Sequence, residues 1–257
     1  MILYLKVIAM GLVEGITEFL PVSSTGHLIL VGELIHFPTH FSTSFEIGIQ
    51  AGAILAVCWI ERLTIFTLLS PANIRKGAFV PYLLACIPPA LLGVLSHDFI
   101  TSHLFSTTTV AYSLIVGGII MALVHYAKLN GNTRQLSDIT WQQSIGVGIA
   151  QCASLIPGMS RSASSIIGGV LGGIDYHTSA RFSFLIAIPL ILSATLFELS
   201  DVHLTNHEWR LIGFGMLISF LSGLVAIRWL LSIVSRVQLG PFAWYRMIVG
   251  ILMLWLL

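Results

Sequence analysis

Apolar runs long enough to cross a lipid bilayer recur along this chain, and they leave it few ways to fold. They fall at about 44–60, 79–96, 107–127, 181–199, 211–229 and 241–257, each near the roughly 20 residues a spanning helix needs, the first being on the short side. In lipid the backbone must satisfy its own hydrogen bonds, which makes such runs helices. Composition agrees: 56% of the 257 residues are hydrophobic and 9% charged, with a mean hydropathy of +0.94, whereas a soluble domain carries roughly 25% charged residues. The expected fold is an all-α, polytopic membrane protein, a single integral membrane domain over 1–257 with no room for a sizeable soluble domain. A formal net charge of +1 and the lack of a basic tail give no nucleic-acid signal. Cys58, Cys86 and Cys152 sit far apart in apolar runs and read as packing residues, not as a disulfide or metal set. The N-terminal Met-Ile-Leu-Tyr-Leu-Lys has neither a charged leader nor a small-residue cleavage site, so no removable signal peptide is expected.

Two regions break the apolar pattern. Residues 1–35 are interrupted by Glu14, Glu18, Pro21 and Gly26; residues 143–173 break at Pro157-Gly158 and carry Ser160, Arg161, Ser162, Ser164 and Ser165. Each is expected to enter the membrane as a helix, break and return. Irregular backbone at membrane depth survives only where it is buried in protein or lines a wet cavity, and intramembrane acids are costly enough to imply a role. Glu14 and Glu18, four residues apart, share one helix face. Pro21 ends that helix, and Val-Ser-Ser-Thr-Gly supplies a hydroxyl-rich turn before His27.

Loop charge orients the spans. The connections at 61–78, 128–140 and 228–240 carry Arg62, Arg75, Lys76, Lys128, Arg134, Arg228 and Arg236, whereas those at 97–106 and 200–210 hold Asp98, Asp201 and Glu208 against Arg210. With the basic set in the cytoplasm, both chain ends lie outside, the 1–35 region enters from outside, and the 143–173 region enters from the cytoplasm. The two breaks also resemble each other: Phe19-Leu20-Pro21-Val22-Ser23-Ser24 aligns with Leu155-Ile156-Pro157-Gly158-Met159-Ser160 at an offset of 136 (157 − 21). Together these features predict six transmembrane helices and two re-entrant helix pairs in an inverted repeat, with halves at about 1–127 and 143–257 whose broken helices meet near the midplane.

That meeting would assemble a set of groups with one chemistry in common. Arg161 offers a planar, permanently charged fork for phosphate oxygens. The hydroxyls of Ser160, Ser162 and Ser165, those of Ser23 and Thr25 opposite, and the N–H groups of a restarting helix can cradle the same anion. Glu14 and Glu18 are hard oxygen ligands for a divalent cation, magnesium or calcium, shared with substrate phosphate. Ser24 or His27 is the candidate to attack phosphorus, or His27 serves as acid or base for Ser24. This is a kit for metal-assisted phosphoryl transfer. Each residue has a plainer reading, as an interfacial acid, a snorkelling arginine, a helix-bonded serine or a buried histidine. Two acids on one intramembrane face and an arginine inside a helix break favour the chemical one. Glu46 and Gln50 read equally as first-turn polar groups or as neighbours of the site, and Arg181 as an interfacial anchor.

The run from Glu14 to His27, with Pro157-Gly158-Met159-Ser160-Arg161-Ser162, resembles the signature pair of the bacterial undecaprenyl-diphosphate phosphatase family associated with bacitracin resistance. Phe45 to Val57 and Phe182-Ser183-Phe184-Leu185 are similar to that family too, and the resemblance covers essentially the whole chain. It implies removal of the terminal phosphate from the polyprenyl lipid undecaprenyl diphosphate at the bacterial inner (plasma) membrane, with the site facing the periplasm, to return the monophosphate carrier to cell-wall synthesis. It further implies that Glu14 and Glu18 are the metal-associated acids, Ser24 and His27 the catalytic candidates, and Arg161 the phosphate-binding arginine. The family's second motif commonly reads Pro-Gly-x-Ser-Arg-Ser-Gly-x-Thr; Ala163 and Ser165 replace its last Gly and Thr here, which leaves the shape of the turn open at 163. The rival is a transporter or flippase of a phosphorylated polyprenyl lipid, because broken helices in inverted repeat are usual in secondary transporters. A homodimer is the one protein partner kept open. The acid phosphatase superfamily fits poorly, since Ser-Ser-Thr-Gly-His matches its motif only in part.

Overall fold

Both interrupted regions fold as helix pairs joined by an irregular turn. In chain order the helices are α1 (Ile2–Thr17), α2 (Ser24–Leu34), α3 (Thr39–Ile60), the short α4 (Arg62–Leu68) and α5 (Pro71–Arg75), α6 (Val80–His103), α7 (Thr107–Tyr126), α8 (Trp141–Gln151), α9 (Arg161–Leu171), α10 (Tyr176–Ser200), α11 (Asn206–Val237) and α12 (Gly240–Leu256). The computed structural model describes residues 1–129, 131–200 and 202–256; Asp201, counted above among the outer acids, lies outside them, as do Asn130 and Leu257. Among the described residues no strand forms beyond a single bridge between Thr133 and Ile174. Five helices, α3, α6, α7, α10 and α11, are long and apolar enough to cross a membrane, and α12 is apolar but shorter, at 17 residues. The chain is an all-α, multi-pass membrane protein.

Several helices run past the limits expected from hydropathy, each for a local reason. α3 starts at Thr39, because Phe37, Phe41 and Phe45 pack ring on ring (4.9 Å for Phe37–Phe45 and 5.4 Å for Phe41–Phe45) and bury against Leu211 and Ile212. α10 starts at Tyr176, where Asp175 Oδ1 accepts from the His177 and Thr178 N–H groups. α11 opens on a capping box between Thr205 and Glu208 and continues to Val237, so Arg228 and Arg236 lie on a helix and not in a loop. α6 likewise absorbs residues 97–103. Arg181, expected as an interfacial anchor, is ion-paired with Glu61. Its Nε donates to Glu61 Oε1 at 2.7 Å, tying the start of α10 to the end of α3.

Small residues set the close contacts around the first motif. α1 presents Gly11 and Gly15, and α3 presents Gly48 and Gly52, to α11, which lies against both. A Cβ at Gly52 would come within 2.2 Å of the Met216 carbonyl oxygen, whereas one at Gly213 on the same α11 would meet nothing within 4 Å. Gly52→Ala is therefore expected to destabilise the protein by about 1–3 kcal/mol and to lower its Tm in detergent, with Gly213→Ala as the neutral control. Equal losses in the two variants would mean that this contact does not set the helix spacing.

The pairings recur between the two parts of the chain. α1 packs on α11 as α8 packs on α6, and α3 meets α10 while α7 meets α12. α2 and α9 are both 11 residues long and start 137 positions apart (161 − 24), one more than the motif alignment indicated.

Candidate active site

Each turn ends on a serine with left-handed backbone, Ser23 at φ 73° and Ser160 at φ 70°. Such angles are uncommon outside glycine and cluster where structure is held for a purpose. Each serine then caps the helix that follows: Ser23 Oγ accepts from Gly26 N–H at 3.5 Å and Ser160 Oγ from Ala163 N–H at 3.2 Å. Ser24 and Arg161 thus hold the same place, the first residue of α2 and of α9. Ala163 leaves the turn undisturbed, since it lies within α9 and the positive φ values fall at Gly158 and Ser160.

The starts of these two helices line one pocket of about 170 Å³. Glu18, Ser23, Ser24 and Thr25 come from the first motif; Ser154, Pro157, Gly158, Ser160 and Arg161 come from the second, with Gln50 added by α3. Two helix N-termini and a guanidinium around one small polar space suit an anion. Glu18 joins the two sides. Ser24 Oγ donates to its Oε2 at 2.6 Å, and Arg161 Nη2 donates to its Oε1 at 3.0 Å, across 143 positions of sequence. Arg161 is held further by Nη1 donation to the Ser183 carbonyl oxygen (2.9 Å) and hydroxyl (3.2 Å), and its guanidinium lies 5.4 Å from the Phe19 ring centroid.

Other expected site residues face elsewhere. Ser162, fully buried, donates to the Leu20 carbonyl oxygen at 2.9 Å and so laces the two turns together. Ser165 donates to the Arg161 carbonyl oxygen at 2.8 Å and meets the Ser183 hydroxyl at 2.6 Å. Both were expected to contact substrate, and both instead donate to backbone carbonyl oxygens, Ser165 four residues back along its own helix and Ser162 across to the facing turn. His27 has both ring nitrogens engaged, Nδ1 by the Ser23 carbonyl oxygen and Nε2 by the Tyr245 hydroxyl, each at 2.7 Å, and it is not among the residues lining the pocket.

Glu14 is fully buried beside Glu18, and no protein N–H or O–H donor reaches either of its carboxylate oxygens. Two orphaned hard oxygens next to a second carboxylate fit a divalent cation that completes its shell with water and substrate. Among the described residues no group of three or more His, Cys, Asp or Glu could hold a metal by itself. Sequence reading missed Ser183, Tyr245 and Arg246. An arginine within an apolar terminal segment was a signal in its own right.

Beyond geometry, residues 7–252 match the family profile described as bacitracin resistance protein BacA. The chain is 42% identical to a protein named undecaprenyl-diphosphatase of Caldanaerobacter subterraneus, over 99% of this chain and 96% of that one. It is 44% identical to the undecaprenyl-diphosphatase of Thermoanaerobacter pseudethanolicus over 98% and 96%, and 42% identical to undecaprenyl-diphosphatase 3 of Acinetobacter baylyi over 98% and 97%.

Proposed function

The chain belongs to the bacitracin resistance protein BacA family, and from that premise we infer that it is an undecaprenyl-diphosphatase, hydrolysing undecaprenyl diphosphate to undecaprenyl phosphate and inorganic phosphate. The observation that carries the chemistry is the Glu18 carboxylate, bonded at once to the Ser24 hydroxyl and to Arg161. Ser24 Oγ attacks the terminal phosphorus as its proton passes to Glu18, the bond from that phosphorus to the bridging oxygen breaks, and undecaprenyl phosphate leaves carrying the proton that Glu18 gives up. Water then attacks the phosphoserine and gives a proton to the freed Glu18 carboxylate, which returns it to Ser24 Oγ as inorganic phosphate departs. Arg161 and the first N–H groups of α2 and α9 hold the equatorial oxygens as charge redistributes. A clamp that only binds and releases lipid has no need of a hydroxyl bonded to a carboxylate, which favours hydrolysis over transport. The occupied nitrogens of His27 favour Ser24 as nucleophile and give His27 a supporting part.

Glu14 and Glu18 would hold a magnesium or calcium ion, which when bound neutralises charge on the substrate oxygens. The recurring helix pairings and the matching lengths of α2 and α9 support an inverted repeat over about 1–127 and 143–257, with each broken pair re-entering from its own side. The basic loops support a cytoplasmic face at the end of α3 and a site open to the outside of the plasma membrane. The test is phosphate release from undecaprenyl diphosphate by the purified protein in detergent. Release should be fast in added magnesium or calcium and should collapse on chelation. Release unaffected by chelator removes the metal, and no release at all removes the phosphatase.

A further inference from the structure

We propose that two consecutive residues of α12, Tyr245 and Arg246, position the two halves of the site, Tyr245 acting on Ser24 through His27 and Arg246 acting on Arg161 through the turn before it. This rests on the phosphatase reading above. Neither residue is among those lining the pocket, so both act through others.

Arg246 is the largest fully buried side chain among the described residues, and none of their ion pairs includes it. An unpaired charge inside a membrane protein is expensive and is kept where it has a task. Its guanidinium donates from Nη2 to the Gly158 carbonyl oxygen at 2.9 Å and to that of Ser113 at 3.3 Å, and from Nη1 to the Met159 carbonyl oxygen at 3.1 Å. Gly158 and Met159 immediately precede Ser160, the left-handed cap, and Arg161. The fork therefore grips the turn from behind while the turn's other side faces the pocket. Gly117 on α7 makes room for this, since a Cβ there would come within 2.2 Å of Arg246 Nη2. One guanidinium serves all three carbonyls at once through charge-assisted bonds. The charge adds attraction for an anion bound beyond the turn.

Tyr245 treats the other turn in the same way. The Ser23 carbonyl oxygen can only accept, so His27 Nδ1 carries the hydrogen and Nε2 is left to accept from the Tyr245 hydroxyl. The two rings stack at 5.5 Å with 9° between their planes. Tyr245 thus fixes the His27 tautomer and orientation, and His27 fixes the carbonyl of left-handed Ser23, one residue before Ser24. One turn of a helix with no motif of its own holds both helix starts that meet at the pocket.

The test measures kcat, KM and the inhibition constant for inorganic phosphate on the full-length protein in detergent, together with thermal unfolding with and without phosphate. Tyr245→Phe should lower kcat about tenfold with KM within about twofold, because the nucleophile side is misaligned and the clamp untouched. Arg246→Lys should raise KM and the phosphate inhibition constant about tenfold with kcat within about threefold, because an ammonium cannot grip two carbonyls as the fork does. Gly117→Ala should reproduce the Arg246→Lys pattern by pushing the guanidinium aside. Unchanged constants in either α12 variant, the same pattern in both, or losses that merely track the folded fraction would overturn the proposal. It falls for Arg246 if neither Arg246→Lys nor Gly117→Ala folds. A folded wild type that releases no phosphate sinks the phosphatase reading instead, and the phosphate-induced thermal shift in wild type and variants still decides the Arg246 half.

Discussion

Glu18→Gln is expected to lower kcat by about 10²- to 10⁴-fold while the protein still folds. The carboxylate accepts the Ser24 hydroxyl on one oxygen and the Arg161 guanidinium on the other. The amide is nearly isosteric but keeps one accepting oxygen where two are used, so one of these contacts is lost, and it cannot take a proton from Ser24. It also removes one of the two carboxylates placed to hold a cation. Phosphate release and thermal unfolding on one preparation separate these effects: activity should fall by that factor in protein that still unfolds cooperatively, with Tm lowered by the loss of the Arg161 ion pair. Turnover near that of wild type would take Glu18 out of the chemistry, and with it the feature that links the two motifs.

Arg161→Lys should cost about 10²- to 10³-fold in kcat/KM, although the charge is retained. The guanidinium reaches three places at once, the Glu18 carboxylate, the Ser183 carbonyl and hydroxyl, and the face of Phe19. An ammonium on a flexible stem cannot keep that planar arrangement, so the oxygens of the transferring phosphate lose a fixed partner. Arg161→Lys with kinetics close to wild type would show that only net charge is needed there and would defeat the clamp assignment.

Much of this was legible in the chain itself. Apolar runs at spanning length dictated helices, and the breaks at Pro21 and Pro157 marked where helices stop. Glu14, Glu18 and Arg161 stood out as candidates because charged groups are costly in lipid, whereas Ser24 and His27 could not be separated as nucleophile. Helix ends were read less well. α3, α6, α10 and α11 extend beyond their apolar stretches because caps such as Thr205–Glu208 and aromatic contacts such as Phe37–Phe45 carry a helix past where hydropathy falls. The hydroxyls were harder still. Ser160, Ser162 and Ser165 are chemically alike in sequence, yet Ser160 lines the pocket while the other two satisfy backbone and Ser183.

The sequence by itself determined that the protein is a helical membrane protein with two interrupted segments and which charged groups those segments carry, because burial in lipid penalises every alternative. Only the tertiary structure decided that Ser24 and Arg161 both meet Glu18, that His27 turns toward Tyr245, and that Arg246 of α12 bonds the turn before Arg161. Those outcomes depend on which face of each helix meets which neighbour. Apart from the Ser24–Glu18 bond, that is fixed by packing between residues 87 to 218 positions apart, and local pattern carries no record of it.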